Sequence, residues 1–326
     1  MQALANLTAI ALAIAPCSAL GFSDFNGDGR SDLLWRNTAT GANAIWFSAN
    51  RATPQGLTAV VNLDWRVVGS GDYNGDGKAD ILWRNISTGA NAIWRSATAA
   101  SQQPLRAVAL AWQVVGSADY NGDGSADILW RNSSTGANAI WLSATASTQQ
   151  LLPAVALTWQ VVGSGDYNGD GRADVLWRNS STGANVIWRS AIPSAQQSLP
   201  AVTNLAWKVV GSGDYNGDGR ADILWRNYSS GANAIWRSAN AATPQAVAAI
   251  VGRARSMYYV ADSGDYNGDG TSDVLWRSCF PFLNDSFTWP SADSTRQQAL
   301  TRASVGWHIQ SPATPPREGF ICIYNP

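Results

Sequence analysis

The chain has 326 residues, only 14% of them charged, with a formal net charge of −1, 17 Trp and 30 Gly. No basic stripe interleaved with aromatics stands out, which disfavours nucleic acid as a partner, and no run of ~18 apolar residues is present to span a membrane. The length exceeds that of a usual single domain, so repeats that bury a core between neighbours are the economical way to hold it together.

Residues 1–19 carry an apolar stretch from Leu7 to Ala15 and end in small residues. They read as a secretory signal cut after Ala19, although no Lys or Arg precedes the apolar stretch. The alternative is a truncated first strand, because Leu20–Asp24 aligns with Val68–Asp72. Pro16 before Cys17 argues against a lipoprotein anchor. Residues 20–326 are expected to form a single domain.

From Asp24 onward one loop recurs six times, at successive spacings of 48, 47, 47, 48 and 51 residues. Such a period marks a propeller or a solenoid. Counted from the first Asp, positions 1, 3, 5 and 9 never vary. They are Asp24, Asn26, Asp28 and Asp32; Asp72, Asn74, Asp76 and Asp80; and Asp119, Asn121, Asp123 and Asp127 in the first three loops. In the last three they are Asp166, Asn168, Asp170 and Asp174; Asp214, Asn216, Asp218 and Asp222; and Asp265, Asn267, Asp269 and Asp273. Position 7 wanders through Arg30, Lys78, Ser125, Arg172, Arg220 and Thr271, as expected where only the main-chain carbonyl is used. Positions 4 and 6 are always Gly, which permits the positive φ of a tight curl.

Three carboxylates, an amide oxygen and a carbonyl make an all-oxygen set that suits Ca²⁺ better than zinc or copper. Magnesium fits less well, because it resists dehydration and demands a strict octahedron. Of the 22 Asp, 18 lie in these loops, and Glu318 is the single Glu. Carboxylates gathered this closely repel one another unless a cation joins them. One ion per loop gives about six Ca²⁺ per chain. A turn whose Asp and Asn bond only their own backbone is the alternative. An EF-hand needs a Glu ligand at position 12 and flanking helices. Here that position is Trp35, Trp83, Trp130, Trp177, Trp225 or Trp276, and dockerin-type loops fail on the same residue.

Each repeat continues as short β-branched and aromatic runs bounded by Gly, Asn and Ser, the pattern of strands. In the second repeat these are Trp65–Gly69, Ile81–Arg84 and Ala90–Trp94, with an outer strand expected from Leu105, Ala107 and Val108. Apolar and polar residues do not alternate, so both faces of each sheet should be covered, as in radially packed propeller blades. The Trp residues follow the same period, which assigns most of them to packing between blades. In the sixth repeat Tyr258 stands where the first Trp is expected, and Cys279–Phe282 replaces the usual turn. Trp307–Gln310 then restarts a first strand with no loop behind it, so the segment 303–326 is expected to close a ring. The fold class is all-β, a β-propeller of six repeats, with seven blades as the alternative if the ends form a loopless blade. Removal of Cys17 with the signal leaves Cys279 and Cys322, either as a disulfide pinning the C-terminal strand or as two buried thiols. Glycosylation sequons at Asn85, Asn132, Asn179 and Asn227 sit at a turn in each blade.

The D-x-N-G-D-G-x-x-D loop followed by I-L-W-R-N resembles the FG-GAP/VCBS repeat. It is similar to the calcium loops of integrin α-subunit propellers and of some fungal propeller lectins, over about residues 20–310. The resemblance implies a loop that joins the first two strands of a blade and binds Ca²⁺ through positions 1, 3, 5, 7 and 9. It also implies one of two functions outside the cell, secreted or at the cell surface. One is a non-catalytic scaffold that contacts a protein. The other is a lectin with sugars between blades, held by Trp and by Asn43, Asn91, Asn138, Asn185 and Asn233. No catalytic constellation stands out: His308 is the single histidine, and Ser has no recurrent partner of the kind a nucleophile needs. Six bound ions would raise the formal charge from −1 to about +11. Arg36, Arg84, Arg131, Arg178, Arg226 and Arg277 are then expected either to favour an anionic protein surface or glycan, or to stack on Trp and pair with carboxylates.

Overall fold

The computed structural model describes residues 23–52, 54–250, 258–278, 285–300, 302–303 and 307–310. Residues 1–19, Cys279 and Cys322 lie outside them, and with them the signal and disulfide readings.

The described residues form six four-stranded antiparallel sheets. In the second blade the strands are Trp65–Gly71, Asp80–Asn85, Asn91–Trp94 and Gln102–Leu105. The second strand runs through the middle of the blade and is buried along its whole length, which is why its apolar residues Ile81, Leu82 and Trp83 are consecutive and do not alternate with polar ones. First strands of successive blades lie against one another. Those of blades two to six each carry a bulge, at Val68, Val115, Val162, Val210 and Ala261, and bulges sharpen strand twist.

The ring is closed from both ends of the chain. Trp307–Ile309 pairs with Leu33–Asn37, with Trp307 opposite Asn37. Trp65 faces Asn85 in the same register. The C-terminal strand therefore supplies the first strand that the N-terminal repeat lacks, and the count is six blades.

The core lies between blades. Tyr73, Leu82 and Ile93 of the second blade pack with Ile128, Trp130 and Trp141 of the third, and equivalent clusters fill the other joints. The second-strand Trp of every blade is at most 2% exposed. The third-strand Trp tilts against it, with ring centroids 4.3–5.0 Å apart. First-strand Trp65, Trp112, Trp159, Trp207 and Trp307 are only half-buried.

The outer strand differs from the sequence expectation. It is the polar segment Gln102–Leu105, while Ala107 and Val108 lie beyond its end. The outer edge faces water, so Gln suits it. Val108 leaves the sheet and uses its backbone instead, donating N–H to Gly89 O at 2.9 Å and accepting from Arg84 at 2.9 Å.

Candidate functional site

In blades two to six the Asp-rich loop joins the first and second strands, and in the first blade it leads directly into the second strand Leu33–Asn37. Gly at positions 4 and 6 adopts positive φ in all six, as at Gly27 (79°) and Gly29 (82°), where any other residue would be strained. The curl turns backbone N–H groups onto the position-1 carboxylate. Asp24 Oδ1 accepts from Gly27 at 2.7 Å and Asp28 at 3.2 Å, and its Oδ2 accepts from Gly29 at 2.8 Å. Asp72, Asp119, Asp166, Asp214 and Asp265 are bound in the same way.

Positions 3 and 5 meet through their side chains. The Nδ2 groups of Asn26, Asn74, Asn121, Asn168 and Asn216 donate to Asp28, Asp76, Asp123, Asp170 and Asp218 at 2.9–3.1 Å. In the sixth loop Asn267 reaches Asp273 at 3.3 Å instead. Asp269 at position 5 of that loop accepts from Arg296 at 3.4 Å. Position 7 projects outward at Arg30, Lys78, Arg172 and Arg220 and is half-buried at Ser125 and Thr271; the Thr271 hydroxyl donates to Asp269 of its own loop.

Position 9 is the buried anchor. Asp32, Asp80, Asp127, Asp174, Asp222 and Asp273 are at most 1% exposed. One oxygen of each accepts from the position-2 amide, as from Phe25 to Asp32 at 2.8 Å. The other accepts from the amide of Ser48, Ser96, Ser143, Ser190, Ser238 or Ser291 at 2.7–2.9 Å. These Ser residues start a Ser-Ala pair that follows the third strand, and both members of every pair have φ between 44° and 57°. Two successive left-handed non-Gly residues cost about 1–2 kcal/mol each and persist only where surroundings over-determine them. Sequence reasoning misses this turn. Its one signal is the six-fold recurrence of Ser-Ala starting two residues after the third-strand Trp.

Burial, reinforced by the position-1 and position-5 carboxylates, pushes the position-9 carboxyl up to about 7 in Asp32 and Asp127. In Asp80, Asp174, Asp222 and Asp273 the same causes raise it to about 6. A nearby cation would pull these groups back down. The donor set thus fits a hard cation in kind, and in the second loop the buried Asn74 Oδ1 has no hydrogen-bond partner. The carboxylates are meanwhile spread over their own backbone amides. Among the described residues no three acidic, His or Cys side chains are grouped as a preformed metal cage.

The loops also form the joints between blades. The position-8 amide donates to the position-1 carbonyl of the preceding loop: Ala79 to Asp24, Ala126 to Asp72, Ala173 to Asp119, Ala221 to Asp166 and Ser272 to Asp214, at 2.6–2.8 Å. Four of the five loop Tyr extend the joint inward, where Tyr73, Tyr120, Tyr167 and Tyr215 bond Ser117, Ser164, Ser212 and Ser263 of the next blade at 2.7–2.8 Å. This is why Gly69 is required: a Cβ there would stand 2.5 Å from Ser117 Oγ and 2.9 Å from Tyr73 Oη.

The six repeated Arg belong to the joints and are not presented to a partner. Arg36, Arg84, Arg131, Arg178, Arg226 and Arg277 are at most 7% exposed. They stack on Trp83, Trp130, Trp177, Trp225, Trp276 and Trp35 of the next blade, 4.7–5.2 Å from the ring centroids. Arg131 also donates to Asn138 Oδ1 and to the carbonyls of Gly136, Val155, Ala156 and Trp159 at 2.9–3.1 Å. Asn43, Asn91, Asn138, Asn185 and Asn233 accept from these guanidinium groups and are buried, so they are not sugar-facing. The sequon residues Asn85, Asn179 and Asn227 are likewise buried, with Oδ1 capping the following turn.

Six blades joined through repeated Asp-rich loops define the molecule as a six-bladed β-propeller of near-identical units. The chain belongs to the FG-GAP-like repeat family, whose model matches residues 24–83, 72–130, 119–177 and 214–276, more than half of its length. Each match runs from the first Asp of one loop to the second-strand Trp of the next blade, so the family unit spans a joint. Among solved structures, a chain in the crystal structure of a nidogen/laminin complex is similar with a TM-score of 0.56 and 11% identity, over 86% of this chain and 96% of that one. Two structures of BBS1N in complex with ARL6DN, soaked with lead and with mercury, give TM-scores of 0.44 and 0.45 at 11% and 12% identity. They cover 88% of this chain and 83% and 84% of theirs. At these identities the likeness is one of fold alone. No curated protein matches the sequence.

Proposed function

We propose that the chain is a non-catalytic interaction scaffold that works outside the cell, secreted or at the cell surface, and is held in shape by about six calcium ions, one per loop. The observation that carries this reading is the double duty of the position-1 Asp. Its carboxylate belongs to the donor set and its carbonyl accepts the bond from the next blade, as in Asp72 and Ala126. An ion held by that carboxylate stiffens the joint as well as the loop. It also offsets the burial and, to a lesser degree, the mutual repulsion that raise the position-9 carboxyl groups.

The propeller of similar fold in the nidogen/laminin structure belongs to a complex between proteins, which favours a protein partner here as well. Sugar binding between blades has less support, because the Asn residues proposed for it are committed to the buried Arg.

Ligand linkage sets the size of the calcium effect. An ion at ten times its dissociation constant adds about 1.4 kcal/mol per site, so six sites together rival the stability of a whole domain. Thermal unfolding in calcium and in chelator tests this. A fall of more than about 10 °C in chelator is expected, and an unchanged melt rejects the role. A glycan array in the same two buffers should show no calcium-dependent sugar.

A further inference from the structure

We propose that the cleft between the fourth and fifth blades binds an acidic segment of a partner protein in extended conformation. The proposal rests on the scaffold reading, and it adds the site and the chemistry of the partner.

In a chain this repetitive, departures from the repeat are where one partner can be chosen. Three variable positions flank each joint in the sequence: the residue after the third-strand Trp in both blades, and position 7 of the second blade's loop. At the joint of the fourth and fifth blades all three are Arg: Arg189, Arg220 and Arg237. The other joints have at most two cations there; that of the third and fourth blades has Leu142, Arg172 and Arg189, and that of the second and third has Arg95, Ser125 and Leu142.

The three Arg line a cleft of about 770 Å³, within the range of ligand pockets. All three are exposed. None has a carboxylate partner, since the ion pairs among the described residues are Arg296–Asp269 and Arg302–Asp285. Two are oriented by neutral amides, Arg189 by Gln197 and Arg237 by Gln245, each at 2.8 Å. Arg220 reaches across the joint over Gly169, where a Cβ would stand 3.0 Å from its Nε. Three guanidinium groups that line one cleft and pair with no carboxylate there select carboxylates.

The backbone narrows the class further. The cleft is lined by Gln197, Ser198 and Leu199 of the strand Gln196–Leu199, which ends its sheet with no strand on the far side. An unpaired edge offers a ladder of N–H and C=O groups that an extended peptide can continue. A sugar chain has no matching ladder. Asp218 is the one carboxylate lining the cleft. It is also position 5 of the fifth loop, so a cation there would remove its repulsion toward an acidic peptide.

The test uses the full chain and fluorescence anisotropy with a labelled peptide of about eight alternating Glu and Thr residues, its Gln-for-Glu counterpart, and an oligoglucuronate, each in millimolar calcium and in chelator. The Glu peptide is expected to bind about ten-fold more tightly than the Gln peptide. Arg220→Gln and the pair Arg189→Gln with Arg237→Gln should each weaken it several-fold, while Arg172→Gln leaves it unchanged. Equal binding of the two peptides, wild-type affinity in Arg220→Gln, or binding of the oligoglucuronate alone would overturn the proposal. A calcium titration of the same samples separates the two readings. Arginine-dependent peptide binding without calcium uptake removes the calcium reading and keeps the cleft, and calcium uptake without peptide binding does the reverse.

Discussion

The backbone amide of Ser31 donates to the backbone carbonyl of Asp265 at 2.7 Å, joining the first loop of the chain to the last. The bond is the sixth in a series whose other five link consecutive loops, so the seam of the ring is built like every other joint. Trp307 completes the seam in the register of Trp65. Truncation after residue 302 removes this strand and leaves the edge of Leu33–Asn37 unpaired. The expected result is a loss of about 3–5 kcal/mol, the cost of deleting a large packed side chain, read as a lower unfolding temperature. An unchanged transition would show that the seam does not need the strand.

Arg131 should tolerate no substitute. Its fork serves five oxygens while its plane lies 5.0 Å from the Trp177 centroid, and an ammonium cannot reproduce that geometry. Arg131→Lys is expected to cost about 3 kcal/mol in chemical unfolding, because buried carbonyls lose their donors. A variant as stable as the parent would mean that the Arg-to-Trp stack does not hold the blades.

Ser190 sits at φ 48° with its amide on Asp174 at 2.7 Å. Left-handed backbone inverts the usual preference for Ala over Gly, so the expected order of stability is Ser190→Gly, then Ser190→Ala, then Ser190→Val, with about 1 kcal/mol between the first two. Ala above Gly in thermal unfolding would place the turn in another conformation.

The position-9 carboxyl groups set the pH dependence. Their folded-state values of about 6 to 7 lie above the unfolded value near 4. Protons are therefore held more tightly by the folded chain. Without metal, the stability these groups contribute is complete below about pH 4 and is lost as pH rises through 6 to 7. In chelator the protein should melt higher at pH 5 than at pH 8. In calcium the order should reverse, because the ion needs the ionised carboxylates. The same order in both buffers would sever the link between these groups and the metal.

The loops were legible because their Asp, Asn and Gly recur at fixed spacing, and the ring because Trp307 restarts the motif of Trp65. The rest depended on contacts that the residue types do not announce. Gln102 and Gln103 form the outer strand because an edge in water suits polar residues, and a rule that follows apolar runs points past them to Val108. The fate of Arg84 turned on a carbonyl 24 positions away, that of Val108. Ser96 and Ala97 have no preference for positive φ, so nothing but repetition marks their turn.

Counting the ions tests the central claim most directly. The protein, passed through a desalting column in calcium, would be assayed for bound metal by elemental analysis. About six calcium ions per chain, falling by one with Asp119→Ala, is the predicted result. A chain that emerges folded with no bound calcium would contradict the account.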